Sequence, residues 1–354
     1  MNNELVEIIK QDCSEAARWS LQLLEDIRNQ KILITGGTGF VGTWISEYIS
    51  FLNDNFNFNV NIILISRDID AFKVKCPQLC TRKDIKLISK DVRNIDELPI
   101  DVNYVIHSAA SPDNRHHVSD PIETISVITK GTQNIIDNAF KLPNLKKILY
   151  LSSGQIYGKV TNDNNSISEH DFGPLDCNSI TSIYPESKRL AESICCAFWS
   201  LYKLPITIAR PFSFIGPYQL LNKPWAVNSF INDALFSKTV RIIGNGEPIR
   251  SYMYPSDMTV WILKILLDGI PGKAYNVGSP YGICLKELAK KIVHYSKSDA
   301  HIEIKNYNQD KSKYIPNISI SQNELGLKIN YDADKTIEKA VIWFKELIDK
   351  QSNK

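Results

Sequence analysis

Short apolar runs and segments of helical periodicity alternate along the first 200 residues of the chain. The apolar runs are rich in Ile, Val and Leu and have the length of buried strands, whereas the segments between them repeat apolar residues at helical spacing. Strands that alternate with helices predict an α/β fold with a doubly wound parallel (Rossmann) sheet. The pattern predicts strands over Ile32–Ile34, Asn59–Ser66, Lys86–Ser89, Asn103–His107 and Lys147–Leu151, and helices over Trp44–Leu52, Ile122–Phe140 and from Tyr184 through Phe198.

Amphipathic segments lie on both sides of this alternation. Before it, residues 3–28 carry apolar side chains near a helical period and predict an added helix. Two roles are open for this helix: packing on the main domain, or serving as a dimerisation or lid element. After it, the pattern predicts a helix over Leu285–Ser296, a short strand over Ile302–Ile304 and a final amphipathic helix from Ile337 to Ile348.

The charge balance and the cysteine content narrow the class of protein. Lysine plus arginine number 41 against 39 acidic residues, too small an excess for a nucleic-acid or membrane-binding surface, so a small-molecule enzyme fits better. The seven cysteines predict free thiols, and Cys76 and Cys80 lack the further ligands of a zinc site. No apolar run reaches the roughly 20 residues that cross a bilayer, and no signal sequence opens the chain. We therefore expect a cytoplasmic protein without a bound metal.

Glycines at a fixed spacing follow the first predicted strand. Gly36, Gly39 and Gly42 fit a turn that lets a pyrophosphate approach the backbone at the start of a helix, where free amides face the anion. Glycines also mark ordinary turns, so the motif by itself does not decide the function.

The end of the second strand indicates the type of cofactor. In dinucleotide-binding units a carboxylate at this position accepts from the 2'-hydroxyl of NAD, whereas an arginine suits the 2'-phosphate of NADP. Ser66 and Arg67 stand there, which favours NADP(H). NAD(H) stays possible because Asp68 follows one position later. Ala109 and Ala110, after the fourth strand, would let a cofactor pass close to the backbone.

Three residues suited to proton transfer come from the fifth strand and the helix after it. Ser153 follows the strand, and Tyr184 and Lys188 share one helix face because they are four positions apart. A lysine ammonium beside a phenol favours the phenolate, so we expect the pKa of Tyr184 to move from about 10 towards neutrality. Such a tyrosine could exchange a proton with a substrate alcohol or ketone while the serine polarises the same oxygen.

These motifs resemble those of the extended short-chain dehydrogenase/reductase family, the epimerases and dehydratases that act on nucleotide sugars. The resemblance covers nearly everything from Lys31 to about Gly278. The similar segments are the cofactor loop Thr35–Gly42, the adenine contact Asp91–Val92, the catalytic residues Ser153, Tyr184 and Lys188, and three further segments in the family's order, Ala209–Tyr218, Arg250–Asp257 and Tyr275–Gly278.

The resemblance implies a role for each matching residue. The substrate would be a nucleotide sugar linked to dTDP, UDP, CDP or GDP, and the protein a homodimer that pairs through the Ile122 and Tyr184 helices. Arg250 offers a planar fork suited to a diphosphate. Substrate contacts are expected from Ser111, Gln155, Ser213, Arg241 and Arg250, and cofactor contacts from Gly36, Thr38, Gly39, Phe40, Val41, Gly42, Ser66, Arg67, Asp91, Val92, Ala109, Ala110, Tyr184, Lys188, Pro211 and Ser213.

The same resemblance divides the chain into parts. We expect a helical extension over residues 1–29, a dinucleotide-binding Rossmann domain over 30–208 and a lobe over 209–354 that mainly binds the nucleotide sugar. Segments near 240–265 and 273–278 would return from this lobe to the Rossmann domain.

Two positions and one segment depart from the family pattern. Ser213 stands where an asparagine often contacts the sugar diphosphate, and Ile215 replaces a tyrosine. The segment Arg115–His117 has no counterpart in the family pattern. We expect it to be a solvated loop, with contact to the sugar or diphosphate as the alternative.

The residues after Ser153 distinguish the reactions of the family. Gly154 and Gln155 stand where 4,6-dehydratases carry an Asp-Glu pair, and sugar-acid decarboxylases usually carry a glutamate at the second position. Because glycine and an amide cannot transfer those protons, both reactions are disfavoured.

Two reactions remain by resemblance, a 4-ketoreductase that consumes NADPH and a 4-epimerase with tightly bound NAD. The preference for NADP favours the reductase, acting on a 4-keto-6-deoxyhexose such as dTDP-4-keto-6-deoxyglucose in surface-polysaccharide (O-antigen) synthesis. A non-catalytic nucleotide-binding protein is a weaker alternative, because serine, tyrosine and lysine are all present.

Overall fold

A sheet of seven parallel strands forms the centre of the protein, whose computed structural model describes residues 3–160, 166–305 and 311–352. Its strands are β1 (Lys31–Thr35), β2 (Asn61–Ser66), β3 (Ile85–Ser89), β4 (Tyr104–His107), β5 (Lys147–Leu151), β6 (Ile206–Pro211) and β9 (Ala274–Val277). They lie in the order β3-β2-β1-β4-β5-β6-β9, and neighbouring strands are parallel. The predicted α/β Rossmann architecture is confirmed.

Helices cover both faces of this sheet. The helices are α1 (Asn3–Ser20), α2 (Phe40–Phe56), α3 (Asp70–Lys75), α4 (Pro77–Cys80), α5 (Asn114–Ser119), α6 (Pro121–Ala139), α7 (Ile183–Tyr202), α8 (Ala226–Phe236), α9 (Pro255–Asp268), α10 (Leu285–Ser296), α11 (Ser319–Leu325) and α12 (Ala333–Ser352). Alternate residues of β1 reach different layers: Ile32 and Ile34 share a core with α2 and α9, whereas Leu33 shares one with α6 and α7. Within the described ranges, no helix is long and apolar enough to span a bilayer.

Two small sheets lie outside the central one. Their strands are β7 (Thr239–Ile243), β8 (Ile249–Ser251), β10 (Gly282–Cys284), β11 (His301–Lys305) and β12 (Lys313–Tyr314). β8 lies between β10 and β12, and β7 pairs with β11. Of the segment 240–265, β7 and β8 therefore belong to the small sheets, and α9 packs on the central sheet. The segment 273–278 contains β9, which extends the central sheet beside β6.

The N-terminal helix packs on the main domain. α1 contacts α2, α9 and α12, and a 3-10 turn over Gln22–Ile27 follows it. Asp12 is buried, accepts from the Tyr254 hydroxyl at 2.6 Å and pairs with Lys339 Nζ at 2.8 Å. Glu15 also pairs with Lys339, at 3.2 Å. Of the two roles open for this helix, the structure therefore shows packing on the main domain.

Candidate active site

The glycine loop forms a tight turn between β1 and α2. Gly36 has a φ of +65°, and a Cβ there would meet the backbone of Ala109, so the loop after β4 lies directly against it. A Cβ at Gly42 would overlap the backbone of Gly37, so the first turn of α2 also lies against the loop. The free amides of the helix that begins at Phe40 open at this turn. Side chains at these glycine positions would fill the turn, so their absence leaves a space that fits the pyrophosphate of a dinucleotide.

A network of ion pairs holds the end of β2. Arg67 donates to Glu123 at 2.8 Å, and Arg93 donates to both Glu123 and Asp91, at 2.5 and 2.7 Å. The Arg93 guanidinium lowers the pKa of Asp91. Arg67 is 58% exposed and its charge is balanced by a carboxylate. That pairing weakens the argument that Arg67 serves a 2'-phosphate.

The other predicted cofactor residues lie along the same edge of the sheet. Thr38 donates to the Ser66 hydroxyl at 2.7 Å, which joins the loops after β1 and β2. Val92 is buried against Gly131 of α6. Those that remain partly exposed are Thr38, Phe40, Val41, Ser66, Ala109, Ala110, Pro211 and Ser213.

A small open cleft lies between the loops after β2 and β4 and the helices α5 and α6. It lies at the same edge of the sheet as the glycine loop, and its lining combines charged side chains, imidazoles and apolar side chains. It is lined by Arg67, Ser111, His116, His117, Glu123, Thr124, Val127 and Ile128.

The structure brings Ser153, Tyr184 and Lys188 together beneath the end of β5. All three are buried, at 8%, 5% and 4% exposure. The Ser153 hydroxyl lies near enough to the Tyr184 phenol to lower its pKa. Lys188 Nζ donates to the Leu151 carbonyl at 2.7 Å and lies 5.9 Å from the centroid of the Tyr184 ring.

Burial controls the ionisation of these groups. It raises the pKa of Tyr184 to about 12, although the Ser153 hydrogen bond acts in the opposite direction. It lowers the pKa of Lys188 to about 7. The expected move of the Tyr184 pKa towards neutrality is therefore wrong for this structure, because burial outweighs a lysine that itself loses charge. Tyr184 is protonated at neutral pH, which is the state of a proton donor.

His117 lies against Tyr184, although its sequence position did not indicate a site residue. The two ring centroids are 4.1 Å apart with planes inclined by 6°, and His117 Nε2 lies 2.7 Å from the Ser111 carbonyl oxygen. The expectation of a solvated loop over Arg115–His117 is wrong for His117, which is buried. Arg115 is 58% exposed and pairs with Asp113.

Tyr314 of β12 reaches the same site from the far end of the chain. Its ring lies on Phe212 with a centroid distance of 4.6 Å, and a Cβ at Gly154 would overlap its hydroxyl. The Gln155 side chain is exposed, and its backbone N–H donates to Ser153 Oγ at 3.1 Å. The phenol of Tyr314 therefore takes the space that a side chain at position 154 would need.

Two arginines predicted to bind substrate have different environments. Arg250 is half-buried on β8, which pairs with the strand of Tyr314, and donates to the Ser312 carbonyl and hydroxyl at 3.1 and 3.0 Å. Arg241 is exposed on β7, where its backbone N–H donates to Asp233. In the part of the chain that the structure describes, no contact brings Arg241 to the other predicted substrate residues.

Three polar residues near the motifs have structural partners. Arg210 is buried and binds both oxygens of Glu192, at 3.0 and 2.7 Å. Asp257 is buried and accepts from the backbone and side chain of Asn330, and burial raises its pKa to about 6. His107 is buried between two threonine hydroxyls. Across residues 3–160, 166–305 and 311–352, no group of three or more His, Cys, Asp or Glu side chains could hold a metal ion.

Known proteins share this sequence pattern and this fold. The sequence model of the NAD dependent epimerase/dehydratase family matches residues 32–278. UDP-glucuronic acid decarboxylase 1 of Xenopus tropicalis is 24% identical over 334 residues, which are 94% of this chain and 76% of that protein. dTDP-D-glucose 4,6-dehydratase of Dictyostelium discoideum is 30% identical over 288 residues, which are 77% of this chain and 63% of that protein.

Solved structures match most of the chain. UDP-glucose 4-epimerase of Thermotoga maritima, solved with UDP-glucose, has a TM-score of 0.77 at 21% identity, over 90% of this chain and 100% of that one. dTDP-glucose 4,6-dehydratase of Bacillus anthracis, solved with NAD, has a TM-score of 0.75 at 22% identity, over 90% and 98% of the two chains. At these identities the likeness concerns the fold.

Proposed function

Because the chain belongs to the NAD dependent epimerase/dehydratase family, we propose that it reduces the C4 ketone of a nucleotide-linked 4-keto-6-deoxyhexose with NADPH. A substrate such as dTDP-4-keto-6-deoxyglucose would place the enzyme in surface-polysaccharide synthesis. One observation carries the proposal. Ser153, Tyr184 and Lys188 lie together, which supports proton exchange with a substrate oxygen, and beside them Tyr314 fills the space at Gly154 that an eliminating acid would need.

The residues of the chain supply the proton and hold the reacting oxygen. The bound cofactor supplies the hydride for C4. Tyr184, protonated at neutral pH, would donate its proton to the ketone oxygen while Ser153 holds that oxygen. Lys188, whose pKa is about 7, would be partly charged and would stabilise the phenolate left on Tyr184. Arg250 would bind the diphosphate of the sugar nucleotide.

Elimination and decarboxylation are disfavoured by the same residues. Relatives named as dehydratase and decarboxylase match much of this chain. Elimination of water across C5 and C6 needs a proton donor and a base, and neither Gly154 nor the amide of Gln155 can act as one. The hydroxyl of Tyr314 lies beside Gly154, but burial raises its pKa, so it is a poor base.

A 4-epimerase with bound NAD is the second candidate. The ion pair between Arg67 and Glu123 favours it, because a balanced guanidinium offers less to a 2'-phosphate. The fold is also similar to that of a UDP-glucose 4-epimerase. In this reaction Tyr184 would have to accept the proton of the C4 hydroxyl first and return it later, with no net use of cofactor, and its raised pKa disfavours the first of these steps.

We further propose that two copies of the chain pair through α6 and α7. These helices pack against each other and present large apolar side chains to solvent. Such a patch on neighbouring helices is typical of an interface between subunits. The exposed residues are Ile122 (73%), Phe140 (49%), Leu190 (54%), Leu201 (72%) and Tyr202 (55%).

The test is incubation with a panel of 4-keto and 4-hydroxy nucleotide sugars, with NADPH and NADH supplied separately. We expect stoichiometric loss of NADPH with a 4-keto substrate, and Tyr184→Phe should abolish turnover while it still binds cofactor. Formation of a C4 isomer without net cofactor change would refute reduction and support the epimerase. Wild-type turnover in Tyr184→Phe would refute the assigned proton donor.

The cofactor preference has its own variant. Glu123→Gln removes the carboxylate that balances Arg67, so we expect the affinity for NADPH to rise several-fold relative to NADH. Arg67→Gln is the matched control, and it should remove that gain. An unchanged ratio of affinities in Glu123→Gln would indicate that Arg67 does not contact the ribose end of the cofactor.

A further inference from the structure

The imidazole of His117 covers one face of the Tyr184 phenol. The rings are parallel to within 6° with centroids 4.1 Å apart, a close aromatic stack, and both side chains are buried. The proposed reaction takes its proton from Tyr184 and requires no imidazole. The proposed reaction therefore does not explain why the imidazole of His117 stacks on Tyr184.

One hydrogen bond fixes the orientation of the imidazole. His117 Nε2 lies 2.7 Å from the carbonyl oxygen of Ser111. Because a carbonyl only accepts, Nε2 carries the hydrogen, and in the neutral ring Nδ1 carries none. Burial lowers the pKa of His117, so the ring is mostly neutral at pH 7. Tyr184 thus faces a neutral aromatic ring on this side, and Lys188 is the cation near it on α7.

The segment that carries His117 is tied to both lobes. Asp113 is buried and caps α5 by accepting from the Arg115 N–H at 3.1 Å. The same carboxylate pairs with Lys223, which follows β6, at 3.0 Å. The backbone N–H of His117 donates to the Asp113 carbonyl at 3.3 Å. The Ser111 carbonyl therefore holds the imidazole, and the Asp113–Lys223 ion pair holds the start of the helix that carries it.

We propose that His117 is a positioning residue for proton transfer at C4, whose stacked ring holds the Tyr184 phenol where its hydroxyl meets Ser153. This inference rests on the proposed C4 oxidoreduction. Loss of the ring would let the phenol tilt, and a misplacement of about 1 Å costs on the order of a hundred-fold in rate. The loss would fall mainly on the chemical step, because His117 contacts the proton donor itself.

The test compares His117→Ala, His117→Phe and Val118→Ala in the full chain labelled with 3-fluorotyrosine. Tyr184→Phe identifies the Tyr184 resonance in the fluorine NMR spectrum. We expect His117→Ala to shift that resonance and to lower kcat about ten-fold or more, with KM nearly unchanged. His117→Phe keeps an aromatic ring and should keep the resonance near its wild-type position and most of the rate. Val118, exposed on the same helix, should affect neither.

Three results would overturn the inference. An unmoved Tyr184 resonance in His117→Ala would show that the two rings are not stacked. A moved resonance with wild-type kcat would show that the stack does not position the phenol for the reaction. Equal loss of rate in His117→Ala and His117→Phe, at wild-type thermal stability, would show that the imidazole N–H acts and not the ring. If the wild type turns over no nucleotide sugar, the proposed reaction fails, while the resonances of His117→Ala and His117→Phe still decide whether the imidazole stacks on Tyr184.

Discussion

Lys188→Met should stabilise the folded protein below pH 7, even though it removes a residue of the proposed reaction. Lys188 is 4% exposed, and burial lowers its pKa from 10.5 to about 7. Below pH 7 the folded protein therefore carries a buried ammonium that is solvated in the unfolded chain. At about 1.36 kcal/mol for each pKa unit, this difference costs the folded state about 5 kcal/mol.

The cost depends on pH in a defined window. It is complete below the folded-state pKa of about 7, because both states then bind the proton. Between pH 7 and 10.5 the unfolded chain alone stays protonated, so the cost decreases with rising pH, and it vanishes above 10.5. Methionine avoids the charge but leaves the Leu151 carbonyl without its donor, a loss of about 1–3 kcal/mol. The net gain should therefore be about 2–4 kcal/mol at pH 6 and absent or reversed at pH 10.

Urea unfolding of wild type and Lys188→Met at pH 6, 8 and 10 measures this difference. Other titrating groups are common to both proteins, so they cancel in the comparison. Lys10→Met, at an exposed position of α1, is the control and should change stability little at any of the three pH values. The same stability difference between wild type and Lys188→Met at pH 6 and pH 10 would refute burial as the cause of the lowered pKa.

Three further changes test other parts of the structure. Gly154→Ala should lower kcat, because the new Cβ overlaps the Tyr314 hydroxyl, and adding Tyr314→Phe should restore part of the rate. Steady-state kinetics measures both effects, and full activity of Gly154→Ala alone would contradict the prediction. Asp12→Ala should lower the free energy of unfolding in urea by about 3 kcal/mol or more, since Lys339 loses a buried partner, whereas a loss under about 1 kcal/mol would contradict this. If two copies pair as proposed, Leu201→Glu should halve the mass measured by light scattering, and an unchanged mass beside a dimeric wild type would exclude α7 from the interface.

The parallel sheet could be predicted because its strands are buried on both faces and read as apolar runs. Lys147–Leu151 has the same bounds in sequence and structure. The helix predicted from Trp44 begins four residues earlier in the structure, at Phe40. The prediction missed this first turn because it contains Gly42, which in the sequence resembles a loop residue. Periodicity therefore identifies a strand or a helix, but it misplaces the end of a helix whose first turn contains glycine.

The candidate site could be predicted only where its residues are close in sequence or follow a strand. Tyr184 and Lys188 share a helix face by spacing alone. His117 stacks on Tyr184 and Tyr314 lies against Gly154, both from distant segments, and no local pattern marks either. The direction in which the Tyr184 pKa shifts could not be predicted either. The spacing reveals a neighbouring lysine, but it does not reveal the burial that raises the pKa.

The first and last long helices of the chain meet through Glu15 and Lys339, which are 324 residues apart. Asp12 of α1 is buried, and the cation that pairs with it lies on α12. Removal of α12 would therefore leave that carboxylate buried without its cation and would expose the apolar residues that α1 and α12 place in one core. The stability of the first helix thus depends on a partner 324 positions later in the chain.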